Sequence, residues 1–97
     1  MKLCNIVIPK MRILTIEEVR REYDKCDLYG KLKIKAWLYH SENRIKNNFP
    51  RFSYDKYCSI IQEQDILNQV RSGIIDCNDL GGKDEVIKYL LGIIKNN

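Results

Sequence analysis

Alanine occurs once, at Ala36, in a 97-residue chain that holds 14 isoleucines, 11 lysines and 8 asparagines. That bias follows codon supply rather than fold, and points to an AT-rich genome such as that of a low-GC bacterium or its virus. Histidine also occurs once, at His40, and no GxSxG elbow or reactive-cysteine signature accompanies it or any serine or cysteine. Nucleophilic catalysis therefore lacks its parts. No stretch approaches the roughly 20 apolar residues of a membrane span. The six-residue run Leu3–Ile8 falls short of the roughly 7–15 residues of a signal-peptide core.

The four cysteines, Cys4, Cys26, Cys58 and Cys77, lie 22, 32 and 19 residues apart, so no pair has the CxxC spacing of a zinc knuckle or redox site. They read as small buried hydrophobes with free thiols. A four-cysteine metal site would need the fold to gather ligands scattered along the whole chain. The expectation is a cytoplasmic protein in a reducing compartment, with no cofactor, no metal and no membrane partner.

Other ligand-binding patterns fail on inspection. The tract DCNDLGGKDEVI starts like a calcium loop, with Asp76, Asn78 and Gly81 at positions 1, 3 and 6. Leu80 at position 5 and Ile87 at position 12 then break it, because the last position needs a bidentate glutamate. Gly81-Gly82-Lys83 lacks the first glycine and the hydroxyl residue of a phosphate-binding loop. The acid pairs Glu17–Glu18 and Asp84–Glu85 fall at predicted helix starts, where carboxylates favour the positive dipole end. With Asp76–Asp79 they give no nuclease-like spacing. The chain reads as a non-enzyme.

What is present is a basic, aromatic middle. Residues 31–57 carry seven basic and two acidic side chains, net +5, and six of the nine aromatics. Residues 1–57 are net +6 and residues 58–97 net −2, within an overall +4. Cations attract phosphates and aromatic faces stack on bases, so segment 31–56 is the candidate contact surface. Lys31, Lys33, Lys35, Arg44, Lys46, Arg51 and Lys56 would neutralise phosphates, and Trp37, Tyr39, Phe49 or Tyr54 would stack. The competing reading is a solvated lysine face over an ordinary aromatic core. Arg20 and Arg21 stand beside acids that cancel them.

Length and a composition of 44 % hydrophobic and 31 % charged residues predict one globular domain over 1–97. Residues 1–10 are an N-terminal strand or arm closed by Pro9, and Met11 offers a second start. Thr15–Cys26 is a predicted helix with a Thr15–Glu18 capping box and Ile16, Val19, Tyr23 and Cys26 on its apolar stripe, ended by Gly30. Lys31–Asn47 reads as a helix, because SENRIKN continues a 3.6 period. The alternative is a strand over 31–40 that puts Trp37 and Tyr39 on the lysine face. Pro50 ends that element, Ser53 caps a helix running to Arg71, and Ser72-Gly73 stops it.

Ile74–Gly82 is a connector and Lys83–Lys95 the last helix. Val86, Ile87, Leu90, Leu91 and Ile94 give the last helix a broad apolar stripe, with Ile93 beside it. Val86, Leu90, Ile93 and Ile94 are therefore candidates for a partner or homodimer seam. Gly92 within that helix suggests close packing against a neighbour.

The fold class expected is mainly α, a small bundle of about four helices, the alternative being α+β. The function expected is a small non-catalytic protein that binds nucleic acid or a nucleic-acid-processing complex through residues 31–56. The alternative is a protein–protein module, such as a phage or mobile-element inhibitor of a host defence enzyme.

Overall fold

A computed structural model describes residues 15–51 and 53–96. The expected strand or arm over residues 1–10 lies outside them. The described residues are mainly α, with five α-helices and no strand among them. They fall into two compact units, one ending at Ile60 and the other starting at Ile61.

In the first unit, α1 (Ile16–Glu22) starts at a reciprocal cap. The Glu18 amide donates to Thr15 Oγ1 at 3.1 Å, and the Thr15 amide donates to Glu18 Oε1 at 2.9 Å. Two of the orphan amides of the first turn are thereby satisfied. The helix is shorter than its apolar spacing predicts. A 3₁₀ turn over Tyr23–Lys25 replaces its last turn, and Cys26 is extended.

The next helix, α2 (Leu28–Lys46), begins three residues earlier than expected. Asp27 caps it, accepting from the Gly30 amide at 2.8 Å. Gly30 therefore lies buried inside α2 rather than ending the previous segment, because the carboxylate cap outcompetes the glycine as a boundary signal. The helical reading of 31–47 holds, and the strand alternative over 31–40 does not.

The C-terminus of α2 closes in a Schellman arrangement. Asn48 takes the left-handed φ of 64°, which asparagine tolerates better than most side chains. The Asn48 amide then donates to Ile45 O at 3.0 Å, and the Phe49 amide to Arg44 O at 2.8 Å.

Ser53 caps α3 (Tyr54–Ile60) as expected, accepting from the Lys56 amide at 3.2 Å. The helix expected to continue to Arg71 instead breaks at Ile61–Gln62. Two side chains account for the break. Ser59 Oγ donates back to Lys56 O at 2.6 Å, competing with the ladder. The Asp65 carboxylate accepts from the Gln62 amide at 3.1 Å and opens a new helix. The core of this unit comprises Val19, Cys26, Tyr29, Leu32, Ile34, Ala36, Trp37, Tyr54, Tyr57 and Cys58, all buried.

In the second unit, α4 (Glu63–Arg71) ends at Ser72 and Gly73, with φ of 83° at the glycine. A 3₁₀ turn over Asn78–Leu80 leads to α5 (Lys83–Lys95), whose bounds match the expected ones. The α5 helix packs on α4, with Ile66, Leu67, Val70, Ile75, Cys77, Val86 and Leu90 buried. Gly92 does not mark a close approach: a Cβ built there meets nothing within 4 Å. Among the described residues no helix is long and apolar enough to cross a membrane.

Candidate nucleic-acid interface

A helix turns about 100° per residue, so the period of α2 decides which basic and aromatic side chains share a side. Lys31, Lys35, Tyr39, Glu42 and Lys46 fall on one stripe. Along that stripe Tyr39, Glu42 and Lys46 are exposed and Lys31 and Lys35 half-buried. Lys33 and Trp37 fall on the opposite side and are buried. Of the two rings in this part of α2, Tyr39 joins the lysines and Trp37 does not.

Two cations of the stripe converge on one ring. The Nζ atoms of Lys31 and Lys35 each lie 5.6 Å from the Tyr23 ring centroid. Like charges four residues apart on a helix repel. The negative face of a ring between them returns part of that cost, about 0.5–1 kcal/mol per contact at an exposed site. Tyr23 thus holds two ammonium groups in place at the N-terminal half of the stripe.

Glu42 is the only acid on the stripe, and it is engaged. Arg20 Nη2 lies 3.3 Å from Glu42 Oε2, with both side chains largely exposed. Such a pair is worth at most about 1 kcal/mol, but it has a second effect. The one negative charge among the lysines is matched by a cation from α1, so the stripe keeps its full positive balance. Arg20 is therefore a member of the surface, although its acidic neighbours in sequence suggested cancellation. No local pattern could have revealed a partner 22 residues away.

Several other predicted contact residues are taken out of the surface. Lys33 is 2 % exposed. Its ammonium donates to Cys58 O at 3.2 Å and stands 5.0 Å from the Tyr29 ring centroid. Trp37 is 0 % exposed and meets Tyr54, itself buried, edge-on at 5.4 Å and 84°. Neither ring can offer a face to a base. Arg51 is half-buried with its Nη1 out of solvent and its guanidinium 5.3 Å from the Trp37 ring centroid, so it braces the core instead of projecting from it. For Lys33 and Trp37 the physical reason is common. The first half of α2 is buried round most of its circumference, and cations on its inner side find a carbonyl or a ring in place of water.

Of the remaining predicted cations, two are exposed and Arg44 is half-buried. Lys46 ends the stripe and Lys56 is exposed in the first turn of α3. Arg44 belongs to the tip of α2: its Nε donates to Pro50 O at 2.6 Å, and its guanidinium lies 5.7 Å from the Phe49 ring centroid. His40 is half-buried, with Tyr39 and Tyr57 each 5.6 Å away between ring centroids. Burial holds its pKa below the ordinary 6.5.

On α5, Val86 and Leu90 are fully buried, so these two cannot form a partner seam. Ile93 and Ile94 are half-buried, and Leu91 is exposed. Cys26, Cys58 and Cys77 are buried. Among the described residues no three His, Cys, Asp or Glu side chains gather where a metal ion could bind. Comparison with known protein families, curated proteins and solved structures gives no match to this chain.

Proposed function

We propose that this chain is a small non-catalytic binding protein that docks nucleic acid, or a nucleic-acid-handling complex, on the outer stripe of α2. The observation that carries the reading is the collection of Lys31, Lys35, Lys46 and Tyr39 on one side of the helix, with the only acid there paired to Arg20. Lysines in a row along a helix match a polyanion better than they match a single charged group. Three such contacts give weak-to-moderate, salt-sensitive affinity, not tight general binding. A reducing, cytoplasmic setting suits a surface of this kind and the buried thiols.

Anisotropy titrations of labelled single- and double-stranded oligonucleotides at two salt concentrations test the proposal. Binding that weakens steeply with salt, and that a Lys31→Gln/Lys35→Gln/Lys46→Gln variant loses, supports it. No binding of either probe at low salt overturns it.

A second reading has its own observation. Leu91 is 43 % exposed, with half-buried Ile87 and Ile94 four and three residues away on the same side of the helix, an apolar strip on α5 suited to a protein partner or a second copy. In that reading the chain is a phage or mobile-element inhibitor of a host defence enzyme, acting by occlusion. Its basic balance is the wrong sign for mimicry of nucleic acid. A stoichiometric complex that Leu91→Asp abolishes while helix content is kept would favour this reading.

A further inference from the structure

Phe49 is the most exposed large apolar side chain among the described residues, at 59 %. Four aromatic side chains of the same unit, Tyr29, Trp37, Tyr54 and Tyr57, are buried, so the fold is able to cover rings and leaves this one out. Its backbone is fixed. The Phe49 amide is held by Arg44 O at 2.8 Å, Asn48 is in the left-handed region, and Pro50 follows. A residue before proline is confined to extended geometry, which narrows the backbone that carries the ring.

The ring also has a fixed neighbour. Arg44 and Phe49 occupy the two positions of a Schellman motif whose side chains meet, here as guanidinium over ring at 5.7 Å. The guanidinium cannot swing freely, since its Nε is tied to Pro50 O at 2.6 Å. The result is a half-covered aromatic platform with a cation at its edge and Lys46 exposed in the same last helical turn. Carbonyls at a helix C-terminus repel phosphate, and these two cations offset that field.

We propose that the tip of α2 is a stacking site for one unpaired base, with Phe49 as the platform and Arg44 and Lys46 meeting the flanking phosphates. The inference rests on the nucleic-acid reading above and narrows it to single-stranded DNA or RNA. Bases in a duplex have both faces covered by their neighbours, whereas an unpaired base offers a face that any exposed ring can take. Because the Arg44 guanidinium is already bonded to Pro50 O and set against the ring, binding costs it little further side-chain freedom.

The test uses three labelled probes at low salt: a single strand of about 12 nucleotides, the corresponding duplex, and a strand of equal length and charge made of abasic sites. Phe49→Ala is expected to weaken the single strand by about 5- to 150-fold, the range one stacked base is worth. The duplex and abasic strand should be unaffected, and Phe49→Trp should restore single-strand binding. Phe49 is exposed, so the fold survives its truncation, which far-ultraviolet circular dichroism checks. If Phe49→Ala binds the single strand as the wild type does, or weakens all three probes alike, the stacking site is wrong while the lysine stripe stands. If the wild type binds no probe, both proposals fall together.

Discussion

Trp37 and Tyr54 meet edge-on, ring centroids 5.4 Å apart and planes at 84°, with neither side chain exposed. This contact joins α2 to α3 and turns the only tryptophan from a candidate stacking residue into a core residue. Trp37→Ala should therefore cost about 3–5 kcal/mol in urea unfolding, a large share of the total for a small domain. Tryptophan emission should be blue-shifted, resist acrylamide quenching, and stay unchanged when an oligonucleotide is added. Quenching by a bound oligonucleotide would contradict the burial.

Lys33 offers a matched control. Its ammonium donates to the Cys58 carbonyl at 3.2 Å inside the same core. Truncation removes that buried hydrogen bond, at about 1–3 kcal/mol. Lys33→Ala should lower stability by that amount, measured as a shift of the urea midpoint. It should leave the salt dependence of binding as it was, because a buried cation neutralises no phosphate.

His40 predicts a pH dependence whose sign follows from burial. Desolvation lowers its folded-state pKa below the ordinary 6.5, so the unfolded chain binds a proton more readily than the folded one. Stability from this group is full above about pH 6.5 and is lost as pH falls from there through the folded pKa. Urea midpoints measured between about pH 8 and pH 5 should fall on acidification, and His40→Gln should flatten the curve across that window.

Asn48 sets the turn that presents Phe49. Its φ of 64° suits asparagine and glycine and strains β-branched residues. Asn48→Val should destabilise by about 1–2 kcal/mol, whereas Asn48→Gly should be close to neutral. Thermal melts of the two variants distinguish the outcomes, and equal effects would contradict a left-handed cap.

Most of this architecture is legible in the sequence where the signal is local. Thr15–Glu18, Ser53 and the bounds of α5 are read directly from capping residues and apolar period. Helix over strand in 31–47 is decided by the polar tail SENRIKN, and the period then sorts Tyr39 with Lys31 and Lys35. What stays hidden depends on distant partners. A lysine reads as solvated until the Cys58 carbonyl, 25 residues on, proves to receive it. Arg20 reads as cancelled until Glu42 is found beside it. The Asp27 cap and the break at Ile61–Gln62 were masked by stronger-looking neighbours, a glycine at position 30 and an unbroken helical period from Tyr57 to Leu67.

In the proposed function the outer stripe of α2 meets a polyanion through Lys31, Lys35 and Lys46. The most direct measurement is the slope of log affinity against log salt for a single-stranded oligonucleotide. Each phosphate neutralised contributes about −0.7, so the three lysines together account for about −2 of the wild-type slope. Each Lys→Gln change at 31, 35 or 46 should make it shallower by about 0.7, while Lys33→Ala leaves it unchanged. A slope that ignores the three stripe lysines, or no binding at low salt, would contradict the account.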